Sequence, residues 1–93
     1  TNDSSIAQAL GMMNDPVVAN RVRRAAGNTV QLTLAATNDP NTVAEKLYLA
    51  ALSRPPTADE KRIAVEYLKA GPLVERTEDL LYVLINSLEF LFS

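Results

Sequence analysis

The amino-acid sequence predicts an all-α fold, a small bundle of four to five helices with a proline corner between the two strongest. Two observations carry this. In LYLAALSRPPTADEKRIAVEYL, residues 47–68, a run with helical apolar spacing meets Pro55-Pro56 and resumes after Thr57. Two prolines in succession remove two backbone donors and fix φ, so the first helix must stop near Ser53 or Arg54. Thr57 and Glu60 then stand in the T-x-x-E spacing of a capping box, in which hydroxyl and carboxylate each take the other residue's backbone N–H. The second observation is the closing run LLYVLINSLEFLF, which is apolar nearly all round. A helix of that kind lies at the centre of a bundle or under a partner.

The elements follow in order. Asp3, Ser4 and Ser5 are each suited to cap a first helix, along which Ile6, Ala9, Leu10 and Met13 recur at helical spacing, interrupted by Gly11. Asn14-Asp15-Pro16 restarts the chain, with Asp15 as N-cap and Pro16 at the first helical position. Val17, Val18, Val22 and Ala25 share one side of this segment, Arg21 and Arg24 lie on another, and Gly27-Asn28 ends it. QLTLAA alternates as a strand would over a few residues. A lone strand without a partner is unstable, so Val30 to Ala36 is assigned to helix.

Asn38-Asp39-Pro40 repeats the earlier tripeptide before another helix, which starts either with Pro40 at its first position or with a second capping box from Thr42 to Glu45. Val43, Leu47, Ala50, Ala51 and Arg54 mark one face of it, and Tyr48 and Leu52 widen the stripe. Beyond the corner, Ile63, Ala64, Tyr67 and Leu68 repeat the pattern, while Asp59, Arg62 and Glu66 offer ion pairs at i,i+3 and i,i+4. Gly71, between Ala70 and Pro72, is expected as a left-handed C-cap residue. Thr77 is expected to cap the last helix, with Glu78 and Asp79 in its first turn.

Composition excludes several chemistries. The chain of 93 residues has neither cysteine nor histidine. Disulfides, thiolate metal sites and covalent haem attachment within it are thereby removed, as are the commonest general base and metal ligand. No cofactor, metal or catalytic residue is assigned. The net charge of −2 leaves no electrostatic footprint for nucleic acid. Residues 1–47 hold four basic and four acidic groups and residues 48–93 hold five and seven, a split too even to point anywhere. No apolar run reaches the ~20 residues that span a bilayer.

Adjacent carboxylates at Asp59-Glu60 and Glu78-Asp79 sit at helix starts, where they face apart and serve as caps instead of sharing a cavity. Arg21, Arg23 and Arg24 form the one basic cluster, and no aromatic residue is interleaved with it. The D-x-D-x-D-G spacing of a calcium loop is missing. Asn86-Ser87, inside the apolar last helix, needs partners: Ser87 a carbonyl of the preceding turn, Asn86 the loop at Arg54–Thr57.

Three segments carry a resemblance: Gln8-Ala9-Leu10 with Met13-Asn14 and Pro16-Val17, then LYLAALSRPPTADE, then INSLEFLF. Together they resemble the carboxy-terminal part of the planctomycete cytochrome-associated domain family of unknown function. Ser53 departs from that family's pattern, which has Gly before the Arg-Pro. A fainter likeness runs to phycobilisome-linker-like helical modules with an L-x-R-x-P layout.

The resemblance implies a much longer exported bacterial protein, periplasmic or at the cell surface, often with a cytochrome-c-like haem domain elsewhere. It implies no catalytic residue. Residues 1–93 are thus expected to form one helical domain, the C-terminal fragment of a longer chain, consistent with a start at Thr1. The expected function is a non-catalytic structural or protein-interaction module. Its partners would be upstream domains of the same polypeptide, or a second copy through the last helix.

Arg54, Pro55, Pro56, Thr57, Glu60, Asn86 and Ser87 are expected to be structural, and Arg21, Arg24, Glu89, Phe90 and Phe92 to be possible partner contacts. The alternative is a piece of an enzyme or carbohydrate-binding assembly whose active groups lie upstream. Arg21, Arg24, Arg54, Asn86 and Glu89 would then be its polar contacts.

Overall fold

Helix α5, Leu73–Phe92, is the element on which the others lie. The computed structural model describes residues 2–11 and 28–92, with side chains over 6–11 and 28–87. Within those residues the chain forms α1 (Asn2–Gly11), α2 (Thr29–Ala36), α3 (Pro40–Leu52), α4 (Ala58–Lys69) and then α5, with no strand among them. Helix α5 touches each of the other four; α3 also packs on α2 and α4, and α1 on α4. The fold is therefore a small all-α bundle, as the sequence predicts.

The core shows why α5 is apolar on several sides. Leu80, Leu81, Val83 and Leu84 are all buried, and Ile85 packs against them. They meet Ile6 and Leu10 of α1, Val30 of α2, Val43, Ala44, Leu47 and Tyr48 of α3, and Ala64 and Leu68 of α4. Burying each large side chain stabilises the fold by roughly 1.5–3 kcal/mol, and packing on four neighbours consumes more than one stripe. The stripe on α3 runs through Val43, Ala44, Leu47 and Tyr48, whereas Ala50, expected on that face, is exposed. The alternation in QLTLAA is not a strand signal. Val30 and Thr33 are buried at i,i+3 and the segment is helical.

Caps set the boundaries. Asp39 accepts from the Thr42 N–H at 3.2 Å and from the Thr42 hydroxyl at 2.9 Å, with Pro40 at the first helical position, so α3 starts by the Asp-Pro route and not by a box from Thr42 to Glu45. Those bonds hold the Asp39 carboxyl below its ordinary range. Helix α1 begins at Asn2, which places Asp3, Ser4 and Ser5 inside it and not before it.

Two expected boundaries change. Helix α5 begins right after Pro72, whose carbonyl accepts from the Arg76 N–H at 3.0 Å. Thr77 is therefore not a cap. It stands in the second turn, fully buried, on the stripe with Leu73, Leu80, Leu81 and Leu84, and Glu75 is the acid of the first turn. Its hydroxyl is buried without a hydrogen-bond partner. Gly71 is not left-handed either. Helix α4 closes through Ala70, at φ −80°, whose N–H donates to the Tyr67 carbonyl. A Cβ at position 71 would come within 2.6 Å of Arg76 Nε, the far end of a flexible side chain that would have to shift.

The left-handed residue is Ser53, at φ 58° and ψ 27°. A side chain in this region costs roughly 1–2 kcal/mol, and glycine escapes it. Of the expected surface pairs, Arg62 stands 3.7 Å from Glu66, both well exposed, and no ion pair joins it to Asp59 among the described residues. Such a pair contributes a few tenths of a kcal/mol.

Two substitutions test these assignments. Ser53→Gly should raise stability by about 0.5–1 kcal/mol, strain relief outweighing the added freedom of the unfolded chain, while Ser53→Val should lower it; melting curves check the order Gly, Ser, Val. Thr77→Val removes a buried orphan hydroxyl with little change of shape. It should stabilise by about 1 kcal/mol in a urea titration; a loss of that size would mean that the hydroxyl has a partner.

Candidate functional site

The densest polar constellation among the described side chains is at the α3–α4 corner. Helix α3 ends at Leu52, Ser53 turns the chain, and Pro55-Pro56 carries it to Thr57 without offering a backbone donor. Thr57 Oγ1 accepts from the Glu60 N–H at 3.2 Å, and Glu60 Oε1 accepts from the Thr57 N–H at 2.9 Å, which completes the capping box. The same carboxylate takes a second partner. Arg54 Nη1 reaches Glu60 Oε1 at 2.8 Å and Nη2 reaches Oε2 at 2.9 Å, a bidentate pair, and Nη1 also donates to the Pro55 carbonyl at 3.0 Å. The guanidinium lies 5.7 Å from the centre of the buried Tyr48 ring.

Glu60 is only 3% exposed, so its charge is stable there only because three donors converge on it. The Arg54 bonds are the largest cause holding its pKa below the ordinary 4.5, against the opposing push of burial. Both oxygens of the carboxylate are thereby engaged, Oε1 twice and Oε2 once. Its chemistry is that of a clamp, fixing the end of α3 to the first turn of α4.

A second set of contacts closes the other end of α4. The Tyr67 hydroxyl donates to Asp79 Oδ2 at 2.7 Å, tying α4 to α5. Burial, then the Asp79 carboxylate, push the Tyr67 phenol up to about 12, so it stays a donor throughout the neutral range. Arg76 stacks over the Tyr67 ring at 4.4 Å. Between α3 and α4, Lys61 pairs with Glu45. None of these three links has a motif in the sequence, because each joins residues 12 or more apart, or an arginine to a ring face, with ordinary surface spacing.

Asn86 donates from Nδ2 to the Tyr82 carbonyl at 2.9 Å, one turn back along α5. The back-bond is thus made by Asn86 and not by Ser87, and no Asn86 bond to the Arg54–Thr57 loop is formed. A bond within its own helix satisfies the amide without any displacement of that loop. Ser87 is half-buried beside it. Arg21 and Arg24 lie outside the described residues, and so do the side chains of Glu89, Phe90 and Phe92. Among the described residues no group of three or more carboxylates gathers into a cage for a metal ion, and no helix is long and apolar enough to cross a membrane.

The corner clamp makes a pH-dependent prediction. Because the Glu60 pKa is depressed on folding, its contribution is complete above its ordinary 4.5 and is lost as pH falls through the lower folded value. Arg54→Ala should cost about 2–3 kcal/mol at pH 7, less than for a fully buried pair since Arg54 is 42% exposed. The stability difference between the native chain and Glu60→Gln should shrink between about pH 5 and pH 3, as followed by urea unfolding. A difference constant with pH would show that the pair does not hold the corner.

No curated protein matches the chain, and no solved structure matches it. The model of a family described as PSD1, a protein of unknown function (DUF1553), matches residues 1–68, which include α1 to α3, the Arg54–Glu60 corner and α4 up to Leu68. That agrees with the planctomycete family of unknown function that the sequence motifs resemble, and by this match over most of its length the chain belongs to the PSD1 (DUF1553) family.

Proposed function

We propose that this chain is a non-catalytic helical module that packs against other protein surface, within an exported bacterial multidomain protein. The observation that carries the proposal is the fate of the motif's charged groups. In S-R-P-P-T-x-x-E the arginine and the glutamate close on each other, and the glutamate also takes the Thr57 N–H, so both Glu60 oxygens are engaged in building the corner. Asp39 is likewise engaged as a cap and Asp79 by the Tyr67 hydroxyl. A chain without histidine or cysteine has few other groups from which to build a nucleophile or base.

Support for a packing role comes from the outer surface. Leu32, Leu49 and Val74 are 71%, 51% and 56% exposed on α2, α3 and α5. The apolar sequence of α5 continues through Leu88, Phe90, Leu91 and Phe92. Covering such side chains is worth roughly 25 cal/mol per Å² of apolar area.

Light scattering behind size-exclusion chromatography, run over a dilution series with an apolar dye, tests the proposal. The expected result is mass above the monomer that falls on dilution, or dye binding that an added partner domain quenches. A strictly monomeric species with no dye-accessible apolar surface would remove it.

A further inference from the structure

The five described helices are not anchored equally, and α2 is the shortest of them. It has eight residues, TVQLTLAA, and no charged side chain in its first or last turn. Asn28, at its N-cap position, has φ −90° and ψ −9°, a helical geometry that aims no side-chain oxygen at the free N–H groups, and no side-chain cap bond is made. Helix α3 starts with the Asp39 cap and α4 with the Thr57–Glu60 box. A helix of eight residues is far below the ~12–15 at which isolated helices begin to be stable in water, so α2 depends on packing alone.

That packing is thin. Only Val30 and Thr33 are buried, with Leu34 half-buried, while Leu32, Ala35 and Ala36 face outward. By contrast α3 buries four residues and is tied to α4 by the Arg54–Glu60 and Lys61–Glu45 pairs. No described side-chain hydrogen bond or ion pair links α2 to α3 or α5, the two helices on which it lies. Among the described residues, opening α2 therefore breaks few contacts, whereas opening α3 or α5 dismantles the core.

From this asymmetry we infer that α2 is a strap that detaches from α3 and α5 as a unit, while the rest of the bundle stays folded. Its release uncovers apolar surface of α5 without loss of the corner. The strap thus sets how often that surface meets its surroundings.

Native-state hydrogen exchange on the chain, followed by mass spectrometry, tests it. Amides of residues 32–36 should exchange roughly 100-fold faster than those of Leu47, Tyr48 and Leu84, with a rate insensitive to low urea, the mark of a local opening. Val30→Ala should speed exchange in α2 by about tenfold and leave α3 and α5 unchanged. Leu34→Ala, at a half-buried site, repeats the comparison at smaller cost should Val30→Ala fail to fold. Equal protection in α2 and α5, or variants that speed exchange everywhere alike, would show one cooperative unit and overturn the strap.

Discussion

A carboxylate removed from water has to be surrounded by donors, and in this protein that requirement organises the corner between α3 and α4. Glu60 receives both arms of the Arg54 guanidinium and the Thr57 N–H, so one buried charge closes a helix start and pins the end of the preceding helix. Each participant suits the geometry. Pro55 and Pro56 pass through the corner without unsatisfied donors, and Ser53 accepts a left-handed backbone to aim the chain into it. Taking away Arg54 would leave a desolvated charge with one donor, which costs more than the pair itself contributes in water.

With that corner held, α3 and α4 present their apolar sides together, and α5 fills the space they share with α1 and α2. A chain of this size must bury most of its large apolar side chains in one place to be stable. The solution is a central helix with buried residues at 80, 81, 83 and 84, a spacing that spans an arc of roughly 160°. Thr77 sits on the same stripe with its hydroxyl unpaired, a small inefficiency that a fold with other sources of stability tolerates.

These observations change what the family motif signifies. The residues that make the sequence recognisable around the corner are engaged with one another, and they describe how the segment folds before they describe what it does. Membership in a family of unknown function is consistent with that, since a shared corner transmits an architecture.

Local chemistry was enough to read the all-α class, the break at Pro55-Pro56 and the capping box, and to narrow the start of α3 to two routes, because caps and prolines act over four residues or fewer. The same locality explains the errors. Thr77 has the composition of a cap and Gly71 that of a left-handed terminus, yet Pro72 lets α5 start early and burial then claims Thr77 for the core. The back-bond of Asn86 instead of Ser87 was a choice between neighbours that packing alone could make. The Arg54–Glu60 pair, the Tyr67–Asp79 bond and the Lys61–Glu45 bridge arose only when the helices came together. Short-range geometry is written into neighbouring residues, whereas the partner of a charged side chain depends on which distant segment the buried core brings within reach.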